Sequence, residues 1–182
     1  YGIHSVTAAL LNEKRQLDEL ILQENINFPL ERFKSRIRKI KFLEQKQFKK
    51  LFGNQQATQG IVLVTTELLK PSFEEFLNVE NKKSKSVILV LDQITDPQNI
   101  GSIMRSCALF DCKGIIISKD NSPELTPSLV KAASGASEIV NYFKVTNIRR
   151  SLLDLKKNGY WIYGFDSSSN NKSNLKFEKK SV

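Results

Sequence analysis

The alternation of apolar strands and amphipathic helices from Val87 onward constrains this chain more than any other feature. Val87-Ile88-Leu89-Val90-Leu91 is a continuous apolar run rich in β-branched residues, which predicts a strand over Val87–Asp92 buried on both faces. Asn99–Phe110 has helical periodicity, Gly114–Ser118 reads as a strand, Pro127–Ser134 as a helix and Ile139–Phe143 as a weaker strand. Ile148–Lys157 then reads as a helix and Tyr160–Phe165 as an aromatic strand. Strands separated by helices need crossover connections, so the expectation is α/β with a parallel sheet and helices on both faces. Ligands on such sheets bind outside the carboxyl ends of the strands, which singles out the loops after Asp92, Ser118 and Phe165. The stretch Asp166–Asn174 is polar and turn-rich, and the basic residues before Val182 read as the entry to a further strand.

The preceding block, residues 1–69, predicts a small layered α/β unit. Ile3, Val6, Ala9 and Leu10 recur at helical spacing, so residues 3–13 read as a helix, followed by a short strand at Leu20-Ile21-Leu22. Phe33, Ile37 and Ile40 stand at i, i+4 and i+7, which predicts a helix with an apolar stripe and a basic remainder. A short strand at 40–43, a helix over Gln45–Phe52 stopped by Gly53, and a β-branched strand over Gly60–Thr66 complete the unit. Pro71, a run of acids and Asn81-Lys82-Lys83-Ser84-Lys85-Ser86 make residues 70–86 a linker with one helical turn around Phe73–Leu77. At 182 residues the chain accommodates one domain or two small ones, here 1–69 and 87–182.

Composition narrows the function. With 28 Lys+Arg against 19 Asp+Glu, the net charge of +9 and pI of about 9.5 favour a polyanionic partner. The cations concentrate: Arg32, Lys34, Arg36, Arg38, Lys39, Lys41, Lys46, Lys49 and Lys50 share residues 32–50 with a single acid, Glu44. The plainer alternative is a basic but otherwise ordinary enzyme. No apolar run approaches the ~20 residues a membrane helix needs. The cysteines, Cys107 and Cys112, lack the pairing of a disulfide scaffold or zinc ribbon and read as buried small hydrophobes. The single histidine, His4, reads as a surface or capping residue and argues against a histidine-based metal site or catalytic triad. The expectation is a reduced, cytoplasmic protein without metal or membrane partner.

The loop after the first strand of the alternation, Asp92–Arg105, carries the most chemistry. Pro97 sets the backbone at a helix start, Asp96 or Asn99 can cap it, and Gly101 admits a ligand or another chain segment. Arg105 offers a forked donor to a phosphate; the alternative is an exposed arginine on a capped surface helix. No G-x-G-x-x-G follows Asp92 and no G-x-x-x-x-G-K-[ST] occurs, so dinucleotide and P-loop sites are disfavoured.

Residues 87–110 closely resemble the first signature motif of the SpoU (TrmH-like) branch of the SPOUT RNA methyltransferases. The D-P-x-N-x-G-x-x-x-R core is matched by Asp96, Pro97, Asn99, Gly101 and Arg105. Ser134-Gly135-Ala136 resembles the loop that follows in the family. Tyr1–Val6 and Gln59-Gly60-Ile61-Val62 resemble the amino-terminal RNA substrate-binding domain of the 23S rRNA guanosine 2′-O-methyltransferase type, with Thr58 where the family usually has histidine.

The resemblance implies transfer of a methyl group from S-adenosylmethionine to a ribose 2′-hydroxyl of rRNA, with tRNA as runner-up. Arg105 and Asn99 are then the catalytic residues, and Gly101, Ser134, Gly135 and Ala136 the pocket wall. Arg32, Arg36, Arg38, Lys39 and Lys41 would bind RNA. The family's second and third motifs, which form the trefoil knot and hold the cofactor, are expected beyond Val182. The sequence therefore reads as truncated, with an α/β knot lacking its carboxyl-terminal segment. A complete member is expected to dimerise, and the apolar side of the helix after Asn99, including Ile100, Ile103 and Met104, is expected to be left exposed. A non-catalytic RNA-binding module and an inactive remnant are the alternatives.

Overall fold

The computed structural model describes residues 1–53, 55–120, 122–166 and 176–182. All but the first residue of the turn-rich stretch Asp166–Asn174 therefore lies outside the described residues. The elements run α1 (Ile3–Leu11), β1 (Leu17–Gln23), β2 (Ile37–Leu43), α2 (Gln45–Phe52), α3 (Gln55–Thr58), β3 (Ile61–Thr65) and α4 (Phe73–Glu80). They continue with β4 (Ser86–Leu91), α5 (Pro97–Leu109), β5 (Gly114–Ser118), α6 (Pro127–Ala132), β6 (Asn141–Val145), α7 (Ile148–Lys157) and β7 (Lys180–Ser181). The chain divides into two compact units. One comprises Tyr1–Leu69, Pro97–Arg105 and Glu124–Ile139; the other comprises Lys70–Asp96, Ser106–Pro123 and Val140–Val182.

The first unit is built on a three-stranded sheet of order β2-β1-β3, with β1 parallel to β2 and antiparallel to β3. Leu20 and Leu22 of β1, with Ile61 of β3, pack with Val6 and Leu10 of α1 and with Phe33. Ile21, Leu43 and Phe48 of α2 form a separate cluster joined by Val62 and Phe52. Each fully buried aliphatic side chain contributes about 1.5–3 kcal/mol, so these two clusters hold the sheet between α1 and α2.

Residues 33–40 are not the helix that their spacing predicts. Two 3-10 turns, Leu30–Arg32 and Lys34–Arg36, lead into β2, whose Ile37 and Ile40 stand in register with Leu17 and Leu20 of β1. An i, i+3 pair of isoleucines is a helical spacing, and the ladder offered by β1 overrides it.

The second unit carries a four-stranded, wholly parallel sheet of order β6-β5-β4-β7. Phe76 and Leu77 of α4 and Leu155 of α7 pack with Ile88, Ile116, Phe143 and Tyr160. The Phe143 ring meets Phe73 edge-on at 5.5 Å and Phe76 at 4.8 Å. Residues 70–86, read from sequence as a linker with one helical turn, contain the eight-residue α4. A capping box starts it: Ser72 Oγ accepts from the Glu75 amide at 3.2 Å, and the Ser72 amide donates to Glu75 Oε2 at 2.8 Å.

Two strand expectations are corrected. Val87 is 43% exposed, so β4 is not buried on both faces at its start, although Ile88 and Leu91 are buried. Tyr160–Phe165 is not a regular strand. Its pairing is confined to an isolated bridge between Trp161 and Ser181, flanked by the Tyr163 amide donating to the Val182 carbonyl at 2.7 Å. The strand expected near Val182 is present as β7, paired to Ser86 and Val87 of β4. Among the described residues no helix is long and apolar enough to cross a membrane.

Candidate functional site

The motif residues enter α5 through a turn in which Gln93, two residues after β4, takes φ 57°. The helix begins at Pro97, where a missing amide costs nothing. Asn99, Ser102 and Arg105 are exposed at i, i+3 and i+6 and form a polar stripe winding along α5. Arg105 Nη2 donates to Ser102 Oγ at 3.3 Å, so the guanidinium reaches back one turn. Ser102 is a member of this stripe that the motif does not single out. Its place three residues before Arg105 is the sequence signal.

The opposite side of α5 is closed. Ile100 and Met104 are fully buried, which overturns the expectation that this apolar side is exposed; Leu109 and Phe110 are the exposed apolar residues, at 79% and 78%. A Cβ on Gly101 would stand 2.5 Å from Ala132 Cβ and 2.9 Å from two backbone atoms of α6's end, Ala132 C and Ala133 N. Gly101 thus admits a chain segment, the end of α6, so the helix axes can approach closely.

The Ser134–Ala136 loop is divided the same way. Ser134 is exposed in the left-handed region at φ 49°. Gly135, at φ 94°, is pressed against α1: a Cβ there would meet Ala8 Cβ at 2.5 Å. Ala136 is buried. Two residues on, Glu138 receives Arg15 Nε at 3.0 Å, Arg15 Nη2 at 2.8 Å and Asn12 Nδ2 at 2.8 Å. Ser5 Oγ donates to the Val130 carbonyl at 2.9 Å and ties α1 to α6. Sequence reasoning missed Asn12, Arg15 and Glu138, whose only signal was an acid within the apolar stretch 133–140.

The Thr58-Gln59-Gly60 turn has a structural role that sequence alone does not display. Gln59 Oε1 accepts from the Ile3 amide at 2.8 Å, capping α1 from across the unit, and the Gly60 carbonyl accepts from the Gln23 amide at 2.9 Å. Thr58, in the position of the family histidine, is buried.

The basic residues do not act as one surface. Arg36 donates to the carbonyls of Leu10 and Asn12, the latter at 2.9 Å, and so closes the end of α1. Arg32 lies over the Phe33 ring at 5.5 Å. On β2, Arg38 pairs with Asp18 at 3.3 Å and Lys39 with Glu19 at 2.8 Å. Lys41 is exposed and makes no ion pair among the described residues. Lys46, Lys49 and Lys50 line the exposed side of α2.

Cys107 and Cys112 are free and buried, as expected. A hydrogen bond with Cys112, and then burial, raise the Cys107 thiol well above the usual range, which makes it a poor nucleophile. His4 is exposed, and among the described residues no group of three or more His, Cys, Asp or Glu could hold a metal.

Residues 86–182 match the profile of the SpoU rRNA Methylase family, and residues 1–71 match that of RNA 2′-O ribose methyltransferase substrate binding. The chain belongs to the SpoU rRNA methylase family. This SpoU chain is 31% identical over 170 residues to the 23S rRNA (guanosine-2′-O-)-methyltransferase RlmB of Coxiella burnetii, covering 90% of the chain and 67% of that protein. It is 35% identical over 112 residues to a putative TrmH family tRNA/rRNA methyltransferase of Staphylococcus epidermidis, covering 61% of the chain and 45% of that protein. The SpoU chain therefore spans between about half and two thirds of the length of these relatives. The SpoU methyltransferase AviRb of Streptomyces viridochromogenes, solved in complex with AdoMet, has the same fold: TM-score 0.76 at 14% identity, over 99% of this chain and 69% of that one.

Proposed function

We propose that residues 1–182 supply the RNA-binding unit and the Asn99–Arg105 helix of a ribose 2′-O-methyltransferase. The substrate is rRNA, with tRNA as the second candidate, and the methyl donor is S-adenosylmethionine. Residues 1–69 form the RNA substrate-binding domain and 87–182 part of the methyltransferase domain, joined by 70–86. The working protein is a cytoplasmic homodimer. The observation that carries this reading is the polar stripe of Asn99, Ser102 and Arg105 within a segment matching the SpoU family.

Arg105 is not a general base, because a guanidinium offers five N–H donors and no acceptor. Its planar fork suits it to clamp the phosphate beside the target nucleotide and to stabilise charge developing on the ribose oxygen. Asn99 positions the ribose, and Ser102 limits where the guanidinium can swing. Alignment supplies most of what such a transfer needs. Gly101, Ser134, Gly135 and Ala136 would wall the pocket, with Gly101 packed on Ala132 and Gly135 on Ala8. No residue of 1–182 is assigned to S-adenosylmethionine. A second reading, favoured by the exposed cations Lys41, Lys46, Lys49 and Lys50, is that this stretch binds RNA without binding the donor.

The test is tritiated methyl incorporation into unmodified rRNA by the protein extended to the length of its relatives. Arg105→Lys should lose most transfer while donor affinity, measured by calorimetry, is retained. Parent-level transfer in Arg105→Lys would remove Arg105 from the reaction. RNA binding by the 182-residue chain without donor binding would support the second reading for this stretch.

A further inference from the structure

Residues 124–139, which carry α6 and the Ser134–Ala136 loop, share the first unit with residues 1–69 and with Pro97–Arg105. Two kinds of contact join them. The first is close packing: Ala8 of α1 stands against Gly135, and the end of α6 stands against Gly101 of α5. The second is a desolvated ion pair. Arg15, between α1 and β1, directs Nε and Nη2 to Glu138 and Nη1 to the Thr66 carbonyl just past β3. Asn12, at the end of α1, donates to the same carboxylate.

Stability alone does not call for such a pair. Taking two charges out of water costs about as much as their attraction returns, and an apolar pair of similar volume holds as well or better. A forked, two-bond pair adds direction, because guanidinium and carboxylate meet in one plane and one register. The direction fixed here is that of α1 and β3 relative to the turn after the Ser134–Ala136 loop. Through Ala132 and Gly101 it extends to the helix that carries Arg105.

We infer that Arg15 and Glu138 are positioning residues for the methyl transfer. They hold the three-stranded sheet at a fixed angle to Arg105, so that an RNA gripped on the sheet presents its target ribose at α5. The inference rests on the function proposed above and adds that the substrate is an RNA long enough to touch both places. In this role neither residue touches the RNA. Two rigidly related contacts raise avidity by about 10²- to 10⁴-fold, and a loose joint forfeits part of that gain.

Two measurements test this. Spin labels on Val64→Cys in β3 and Gln98→Cys in α5, both exposed positions, report the sheet-to-helix distance in the 182-residue chain by pulsed EPR. Cys107 and Cys112 are buried and stay unlabelled in the folded chain. The distance distribution should be narrow in the parent and broad in Arg15→Lys and in Glu138→Gln, each studied below its melting temperature. Methyl transfer by the protein extended to the length of its relatives is then followed on two RNAs. One is a folded rRNA fragment, the other a short oligonucleotide holding only the target nucleotide and its neighbours. On the fragment both variants should raise KM about 10-fold or more and leave kcat little changed. On the oligonucleotide both constants should stay at the parent values. A pair that only stabilised the fold would lower activity on both RNAs alike. A broad distribution in the parent, or equal changes on both RNAs, overturns the positioning role while leaving the proposed function standing. If the parent shows no preference for the fragment, the sheet grips no RNA beside Arg105, and RNA binding by residues 1–69 falls with the positioning role. If the parent methylates neither RNA, the proposed function falls and the inference falls with it.

Discussion

Arg15 grips Glu138 through two hydrogen bonds, Nε to Oε2 at 3.0 Å and Nη2 to Oε1 at 2.8 Å, and the two side chains are only 15% and 6% exposed. Arg15 also donates from Nη1 to the Thr66 carbonyl at 2.7 Å, so one guanidinium ties the end of β3 to the turn after Gly135. Removing one partner strands a buried charge. Arg15→Ala should therefore destabilise the first unit by about 3–5 kcal/mol, read from urea denaturation. A loss below about 1 kcal/mol would mean the pair is solvated in solution.

Gly101→Ala opposes two effects. Alanine improves helix propensity by about 1 kcal/mol. Its Cβ would sit 2.5 Å from Ala132 Cβ and 2.9 Å from backbone that cannot rotate away. Overpacking of this kind costs about 1–3 kcal/mol, so the variant should melt at a lower temperature. Ala132→Gly should restore part of the loss only, since the backbone contacts remain. An unchanged melting temperature in Gly101→Ala would show that α5 and α6 can separate freely.

Arg36 and Arg38 are two residues apart and should fail differently. Arg38 projects from β2 on a largely exposed side chain, so Arg38→Ala should reduce the salt slope of RNA binding by about 0.7–0.9 with little change in melting temperature. Arg36 holds the carbonyls of Leu10 and Asn12, so Arg36→Ala should lower the melting temperature. Thermal melts and anisotropy on the same two variants separate the roles; a common phenotype would contradict this division.

The capping box makes part of α4's stability depend on pH. Hydrogen bonds from the Ser72 amide and then its hydroxyl hold the Glu75 carboxyl below its ordinary pKa of 4.5. A carboxyl lowered in the folded state stabilises above its unfolded pKa, and that contribution is lost as pH falls through the folded value. Glu75→Gln should therefore lower the melting temperature at pH 7 and by less at a pH well below 4.5. An equal difference at both pH values would show that the charge is not involved.

The buried thiols give a labelling prediction. Cys107 and Cys112 should resist iodoacetamide in the folded chain and both react once it is denatured. Rapid labelling of Cys107 in the native state would mean that the end of α5 opens locally.

By itself the sequence determined the elements whose signals are local and redundant. The apolar run of β4, Pro97 opening α5, Gly53 closing α2, and the isoleucines of β5 each specify their own conformation, so β4-α5-β5-α6 and the motif on it were readable along the chain. Tertiary structure decided whatever needs a partner distant in sequence. Ile37 and Ile40 became a strand because β1 offered a ladder, while Tyr160–Phe165 met only a short partner and stayed irregular. Gly101 leaves room in sequence for a ligand or another chain segment, and in the fold Ala132 of a chain segment stands against it, as Ala8 does against Gly135. Arg36 and Arg38 look equivalent in a basic run, yet one turns inward to the carbonyls of α1 and the other faces solvent. A backbone preference is set within a few residues, whereas a side chain's task depends on whichever donor, acceptor or surface the rest of the chain brings beside it.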